Sequence, residues 1–259
     1  MCISCRILNL SLLNDPQFFK KCLSVIPESG YWKVRRKKMQ RYYFNEDRIR
    51  SLGASLLLFS VLREYGMESA DIEVNQYGKP FLCNSDMQFN LSHSENYVVC
   101  SYGYGNSGID IECYKNASVD VAKRFFQHDE YELVEKYGDK MFTRLWTLKE
   151  SYIKADGRGL NIGLDSFKIT LGNAEKNLIS SSSFIPAFST TTYVDSNDKI
   201  NFVEFIVNDF HVAVCSNKKI NDYLIIDDLF QHLSCGLKLS ITERGAIVTD
   251  VSLPTEGAD

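Results

Sequence analysis

The sequence predicts an α+β protein made of two similar halves. Apolar residues recur at helical spacing at Ile49, Leu52, Leu56, Phe59 and Leu62, then give way to short runs with period two between Asp71 and Cys113. The order then repeats, with helical patterns from Val119 to Ala155 followed by alternation in FKITL, NFVEFIVN and FHVAVC. Helix, strands, helices, strands is the order of an α+β chain, and its halves meet near Gly108. The expected division is 1–108, 109–217 and an extension, 218–259, in which no chemistry is evident.

The 259 residues are 44% hydrophobic and 24% charged, enough for a sizeable core. The longest apolar run, around Leu56–Phe59, ends at Ser60 and Arg63, far short of a membrane span. The N-terminal ILNLSLL, broken by Asn9 and Ser11, does not read as an export signal. Eight cysteines without such a signal point to reduced thiols and a cytoplasmic location. Cys2 and Cys5 form a C-x-x-C, but no second pair at metal-ligand spacing accompanies it.

The net charge of −4 argues against a polyanion binder, yet eight basic residues crowd between Lys33 and Arg50 against only Glu46 and Asp47. Such a local excess suits a compact anion better than a long nucleic acid. After it comes the helix ending near Gly66. DIEVN, the Gly78-Lys79-Pro80 turn, MQFNLSH, YVVCSYG and SGIDIEC then read as strands. Within them, GYGNSG (Gly103–Gly108) matches a dinucleotide fingerprint letter for letter. A strand pattern follows it where that fingerprint would open a helix, so it reads as a loop. The four serines from Ser180 to Ser183 and the threonines Thr190 to Thr192 read as loop, and the last residues, LPTEGAD, as disordered.

The chemistry concentrates at two places. In GIDIE (Gly108–Glu112) alternation sends Ile109 and Ile111 into a core and projects Asp110 and Glu112 from the other face. Paired carboxylates repel unless a cation lies between them, and a hard divalent ion such as Mg²⁺ is the natural partner. In FTRLWTLKESYIKADGRGL (Phe142–Leu160), helical spacing aligns Phe142, Trp146, Lys149 and Ile153 on one stripe, with Glu150 and Lys154 on its flank. Glu150 supplies a candidate third carboxylate. Lys149 and Lys154 are candidates to neutralise phosphate oxygens on the same ion, an arrangement suited to phosphoryl transfer. No G-x-x-x-x-G-K-[ST] cradle occurs.

GKP (Gly78–Pro80), FNLSHS (Phe89–Ser94), GIDIE, AKRFF followed by Glu130, and WTLKESYIKADGRGL occur in this order. The set closely resembles the 4′-phosphopantetheinyl transferases of the surfactin-synthetase-activating type, over about Arg35 to Cys215. The resemblance implies a monomer of two α+β halves related by a pseudo-two-fold axis, with coenzyme A and Mg²⁺, or Mn²⁺, in the cleft between them. By position, Asp110, Glu112 and Glu150 match metal-site carboxylates and Lys154 the diphosphate lysine. Lys79, Ser92 and His93 match coenzyme A contacts. Counting back without a gap from Glu46-Asp47, Arg50, Arg35 and Lys38 match residues that hold nucleotide phosphates.

The expected activity moves the 4′-phosphopantetheine arm of coenzyme A onto a serine of an apo carrier protein. That carrier is acyl, peptidyl or aryl, with no nucleic acid or membrane partner. Glu150, Glu130 and a metal-bound water are all compatible as proton acceptor. The rival is a non-catalytic nucleotide- or nucleic-acid-binding module using the basic 33–50 segment.

Overall fold

The computed structural model describes residues 3–171, 186–187, 193–194, 200–218 and 220–226. The Ser180–Ser183 run, the Thr190–Thr192 run and the terminal LPTEGAD lie outside the described residues.

The first half contains β1 (Ile3–Asn9), α1 (Pro16–Val25), α2 (Gly30–Arg41), α3 (Asn45–Glu64), β2 (Ile72–Val74), β3 (Pro80–Leu82), β4 (Gln88–Ser94) and β5 (Tyr97–Gly103). The second contains β6 (Ser107–Cys113), α4 (Val119–Phe125), α5 (His128–Tyr137), α6 (Asp139–Asp156), β7 (Ile169–Thr170), β8 (Pro186–Ala187), β9 (Tyr193–Val194), β10 (Asn201–Val207) and β11 (Phe210–Ser216). β12 (Ile220–Ile226) follows. The GYGNSG segment is a loop between β5 and β6, as the strand pattern after it predicts.

The duplication lies in the topology. In the first half the strand order is β1-β5-β4, and in the second it is β6-β11-β10, with every one of these pairs antiparallel. In each half the first strand enters the sheet, helices follow, and a hairpin returns to pair with it. The expected boundary at 108/109 falls inside β6, which begins at Ser107. The extension has a structural task that the sequence did not disclose. β12 crosses back and pairs in parallel with β1, so the first sheet reads β12-β1-β5-β4.

Both sheets are buried on two faces. Ile3, Cys5, Ile7, Tyr97 and Val99 of the first sheet meet Ile109, Ile111, Phe205, Phe210, Val212 and Val214 of the second in one core between the halves. The opposite faces pack on helices, α3 in the first half and α6 in the second. This is why β5 and β11 are buried at all seven positions and show little polar alternation. Burial of each such Val, Ile or Phe contributes about 1.5–3 kcal/mol, which is what joins the halves. Cys5, half of the C-x-x-C, is part of that core.

The edges set up the site. β4 is one edge of the first sheet and β6 one edge of the second, and the two run beside each other. No ladder joins them; instead Asn90 Oδ1 accepts the Ile109 amide at 3.0 Å. Gly108 lets β6 press against α6, since a Cβ there would lie 2.1 Å from the Ser151 carbonyl and 2.4 Å from the Ala155 amide nitrogen.

Candidate active site

The seam between β4 and β6 gathers most of the predicted site residues. Alternation along β6 leaves Ile109 and Ile111 in the core and turns Asp110 and Glu112 toward β4 and α6. Ser92 Oγ donates to Asp110 Oδ1 at 2.7 Å, and Ser94 Oγ donates to Glu112 Oε1 at 2.9 Å. Two serines spaced two apart on β4 therefore match two carboxylates spaced two apart on β6. Glu112 Oε1 also accepts from Asn116 Nδ2 at 2.6 Å and from the Cys113 amide at 3.1 Å.

Helix α6 lies across this seam. Lys154 Nζ stands 2.6 Å from Asp110 Oδ1 and 2.9 Å from Ser92 Oγ. Burial, and then the charge of Asp110, push the Glu150 carboxyl above its ordinary pKa, and Lys154 opposes the rise. Glu150 and Asp110 are thus electrostatic neighbours, as the sequence suggested. The N-terminal part of α6 is anchored from below. Arg144 donates to both oxygens of buried Glu204 on β10 at 2.6 and 3.0 Å, and Thr147 Oγ1 lies 2.6 Å from His211 Nδ1 on β11.

The basic residues converge from the other side. His93 keeps part of its side chain in solvent, and partial desolvation of the ring, then the charges of Arg50, Lys154 and Arg35, hold its pKa below the ordinary imidazole value. These four residues come from β4, α3, α6 and α2, so four separate elements bring cationic or imidazole groups to one place. Arg35 is set by Ser55 Oγ at 3.4 Å and the Ser51 carbonyl at 3.2 Å; Arg50 donates to Asp47 at 2.7 Å. Lys38 is exposed, with its ammonium 5.9 Å over the Tyr42 ring.

Two expectations are corrected. Glu130 is fully buried: it closes a capping box with Gln127, accepts the Ile169 amide at 2.7 Å and pairs with Lys149 Nζ at 2.8 Å. A carboxylate with both oxygens so engaged, and no exposure, is not poised to take a proton from a substrate. Lys149 is equally buried and donates to the Leu164 and Phe167 carbonyls at 2.8 Å, so it is not a phosphate lysine. Its place in the apolar stripe decided its fate, and Glu130 is its counter-ion. The Lys79 ammonium, matched above to a coenzyme A contact, donates to three backbone carbonyls, of Lys154, Ala155 and Ser107.

Among the described residues no three His, Cys, Asp or Glu already stand together as a metal cage. The donors nonetheless suit a hard cation. They are carboxylate oxygens, and Asp110 Oδ2 is buried with no hydrogen-bond partner, which is the atom a divalent ion would satisfy.

An oxygen-lined carboxylate pair, a lysine bridging two halves and a set of nearby cations make an arrangement suited to a phosphorylated ligand. The chain belongs to the 4′-phosphopantetheinyl transferase family: residues 106–215 match the 4′-phosphopantetheinyl transferase superfamily, and residues 16–102 match 4′-phosphopantetheinyl transferase, N-terminal. It is similar to the 4′-phosphopantetheinyl transferase Sfp of Bacillus subtilis, with 38% identity over 64% of this chain and 78% of that protein. Another 4′-phosphopantetheinyl transferase of Bacillus subtilis is 42% identical over 53% of this chain, a match spanning 65% of that relative. The transferase HetI of Nostoc is 35% identical over 64% of this chain and 79% of that protein. No described helix is long and apolar enough to cross a membrane.

Proposed function

We propose that this chain transfers the 4′-phosphopantetheine arm of coenzyme A to a serine hydroxyl of an apo carrier protein. The observation that carries the reading is the Asp110–Lys154–Ser92 contact across the seam, with Arg35, Arg50 and Lys154 near enough to act electrostatically on His93. Coenzyme A has three phosphates in a small volume, so a few convergent cations suffice to hold it in a chain whose net charge is −4.

In this reading the serine oxygen forms a bond to the β-phosphorus, and the bond from that phosphorus to the bridging oxygen breaks. Adenosine 3′,5′-bisphosphate leaves with the bridging oxygen. Lys154 neutralises charge on the diphosphate, Arg35 and Arg50 hold the nucleotide phosphates with Lys38 at the rim, and His93 and Ser92 orient them. The serine proton passes to Glu150 or to a water beside it. Asp110, Glu112 and Glu150 would hold Mg²⁺, or Mn²⁺, which supplies Lewis-acid stabilisation of the diphosphate when bound. The rival reading, a binding module without chemistry, has no support among the relatives, which are named as transferases.

The test is incubation with coenzyme A, Mg²⁺ and a panel of apo acyl and peptidyl carriers, followed by intact-mass measurement. A gain of one phosphopantetheine on at least one carrier is expected, abolished by a chelator and restored by Mg²⁺ or Mn²⁺. Coenzyme A binding with no transfer to any carrier overturns the reading.

A further inference from the structure

The end of α6, the helix that carries Lys154, is gripped by a turn from the other half. The last carbonyls of a helix have no intrahelical partner. Here the Ile153 carbonyl is satisfied by the Gly157 amide in a left-handed cap (φ 87°), and the Arg158 amide turns away to Asp156 Oδ1. The Lys154 and Ala155 carbonyls are met instead by Lys79 Nζ, at 2.7 and 3.2 Å, and the same ammonium reaches the Ser107 carbonyl at the start of β6 at 3.4 Å. An ammonium has three donors and these are three acceptors, so the group is fully used. A cation at a helix C-terminus also complements the helix dipole.

The turn that presents Lys79 is built for this. Asn75 Oδ1 accepts the Tyr77 and Lys79 amides, both at 2.9 Å, and fixes the loop between β2 and β3. Gly78, at φ 92°, supplies the left-handed backbone conformation the turn needs. Asn75 Nδ2 donates to the Gly157 carbonyl at 3.2 Å, a second bond to the same helix end. A Cβ at Gly157 would lie 3.1 Å from Lys79 Cδ, so the lysine stem and the cap are in close contact.

We infer that Lys79 is a positioning residue for Lys154, and that the Asn75–Lys79 turn is a latch setting the height of α6 over the seam. Lys154 is thereby held by the first half at both ends, its carbonyl by Lys79 and its ammonium by Ser92. Release of the carbonyl end lets the helix terminus drift and moves the ammonium away from Asp110 and the diphosphate. Displacements of about 1 Å cost up to ~100-fold in rate when a catalytic group must be aligned. The inference rests on the transfer reaction above, and it separates Lys79 from the residues that bind coenzyme A.

The experiment compares Lys79→Met, Lys79→Arg and Asn75→Ala with the unaltered chain in three measurements. These are coenzyme A affinity by calorimetry, single-turnover transfer at saturating coenzyme A and carrier, and amide exchange across residues 150–158. Expected for Lys79→Met are a coenzyme A Kd within about twofold, a transfer rate lowered ~10–100-fold, and faster exchange at the α6 terminus. Lys79→Arg, which keeps several donors, recovers most of the rate, and Asn75→Ala shows the same pattern as Lys79→Met more weakly, deciding the matter if Lys79→Met does not fold. A Kd weakened tenfold or more with the saturated rate intact makes Lys79 a ligand contact and overturns the inference, as does an unchanged rate. If the unaltered chain transfers nothing, the functional reading falls, and unchanged exchange in the variants then removes the latch as well.

Discussion

Lys154 Nζ and Asp110 Oδ1 lie 2.6 Å apart, an ion pair joining α6 to β6, and Ser92 of the other half is hydrogen-bonded to both members. The contact makes Lys154 and Asp110, the proposed diphosphate lysine and metal ligand, a single unit with a defined position across the seam. Lys154→Ala removes the charge proposed to neutralise the diphosphate, and Asp110→Ala removes both the anchor of Lys154 and a proposed metal ligand. Each is expected to lower transfer by ~100-fold or more, while far-UV circular dichroism and the thermal transition stay near those of the parent. Near-normal turnover by either folded variant at saturating Mg²⁺ contradicts the assignment.

Glu130 and Lys149 give the opposite expectation. Removal of one member of a buried pair strands the other charge and costs about 3–5 kcal/mol. Glu130→Gln and Lys149→Met should each lower the denaturation midpoint sharply, whereas the double replacement loses less than the sum of the two, because neither charge is left alone. Chemical denaturation of the three variants measures this. A Glu130→Gln variant of normal stability with transfer abolished would return Glu130 to catalysis.

That pair also marks how far the sequence can be read. α3 and β5 are buried along most of their length and were legible from apolar spacing and the turn residues that bound them, whereas the alternation of β4 and β6 and the periodicity of α6 were legible because each has one face set by a neighbouring core. The Asp110 and Glu112 pair was legible for the same reason, and Glu150 and Lys154 follow from helical spacing. β1 was not visible: its partners are β5 and β12, about a hundred and two hundred residues away, and an unbroken buried run from Cys5 to Leu8 erases alternation. Lys149 and Lys154 look alike in sequence, and only the stripe in which each falls separates a core lysine from a cleft lysine. The Lys79 contact with the end of α6 spans 75 residues and has no local signature.

Acid sensitivity should trace to Glu204. Burial raises the proton affinity of its carboxyl, but the His211 ring and the Arg144 guanidinium outweigh that and bring its pKa from 4.5 down to about 2. A folded-state pKa below the unfolded one stabilises the chain above about pH 4.5, and the contribution is lost as pH falls toward 2. The shift corresponds to roughly 3 kcal/mol. Glu204→Gln should therefore be less stable at neutral pH and show a flatter decline of stability between pH 4.5 and 2. A parallel decline in parent and variant would place the acid sensitivity in other groups.

His93 offers a proton-linked test of the anion site. Desolvation and the charges of Arg50, Lys154 and Arg35 disfavour its cationic form in the free protein. A bound phosphate reverses that balance, so coenzyme A binding should take up protons near neutral pH and tighten as pH falls toward the free-state pKa. Calorimetry in buffers of different ionisation enthalpy measures the uptake, and His93→Gln should abolish it. Arg50→Ala is expected to weaken coenzyme A more than dephospho-coenzyme A if Arg50 touches the 3′-phosphate, since only the former loses a charge-assisted bond. Equal weakening of both ligands places Arg50 on the diphosphate instead.

Carrier docking is expected on α4. Phe126 is buried and stacks on Phe142 at 5.6 Å between ring centroids, whereas Phe125 is 39% exposed with the Arg124 guanidinium 5.1 Å over its ring. Lys123 is exposed beside them. One phenylalanine therefore serves the core and the other is presented to solvent with two cations, a surface suited to an acidic partner with an apolar contact. Replacing Lys123 and Arg124 by Glu should slow carrier association about tenfold at low salt and leave coenzyme A affinity unchanged, because steering acts on the encounter rate and is screened by ions. Phe125→Ala should instead raise the dissociation rate, since it removes short-range contact area. Stopped-flow association at several salt concentrations separates the two effects. An unchanged salt slope in the doubly reversed variant would move carrier docking away from α4 and leave Phe125 an ordinary surface residue.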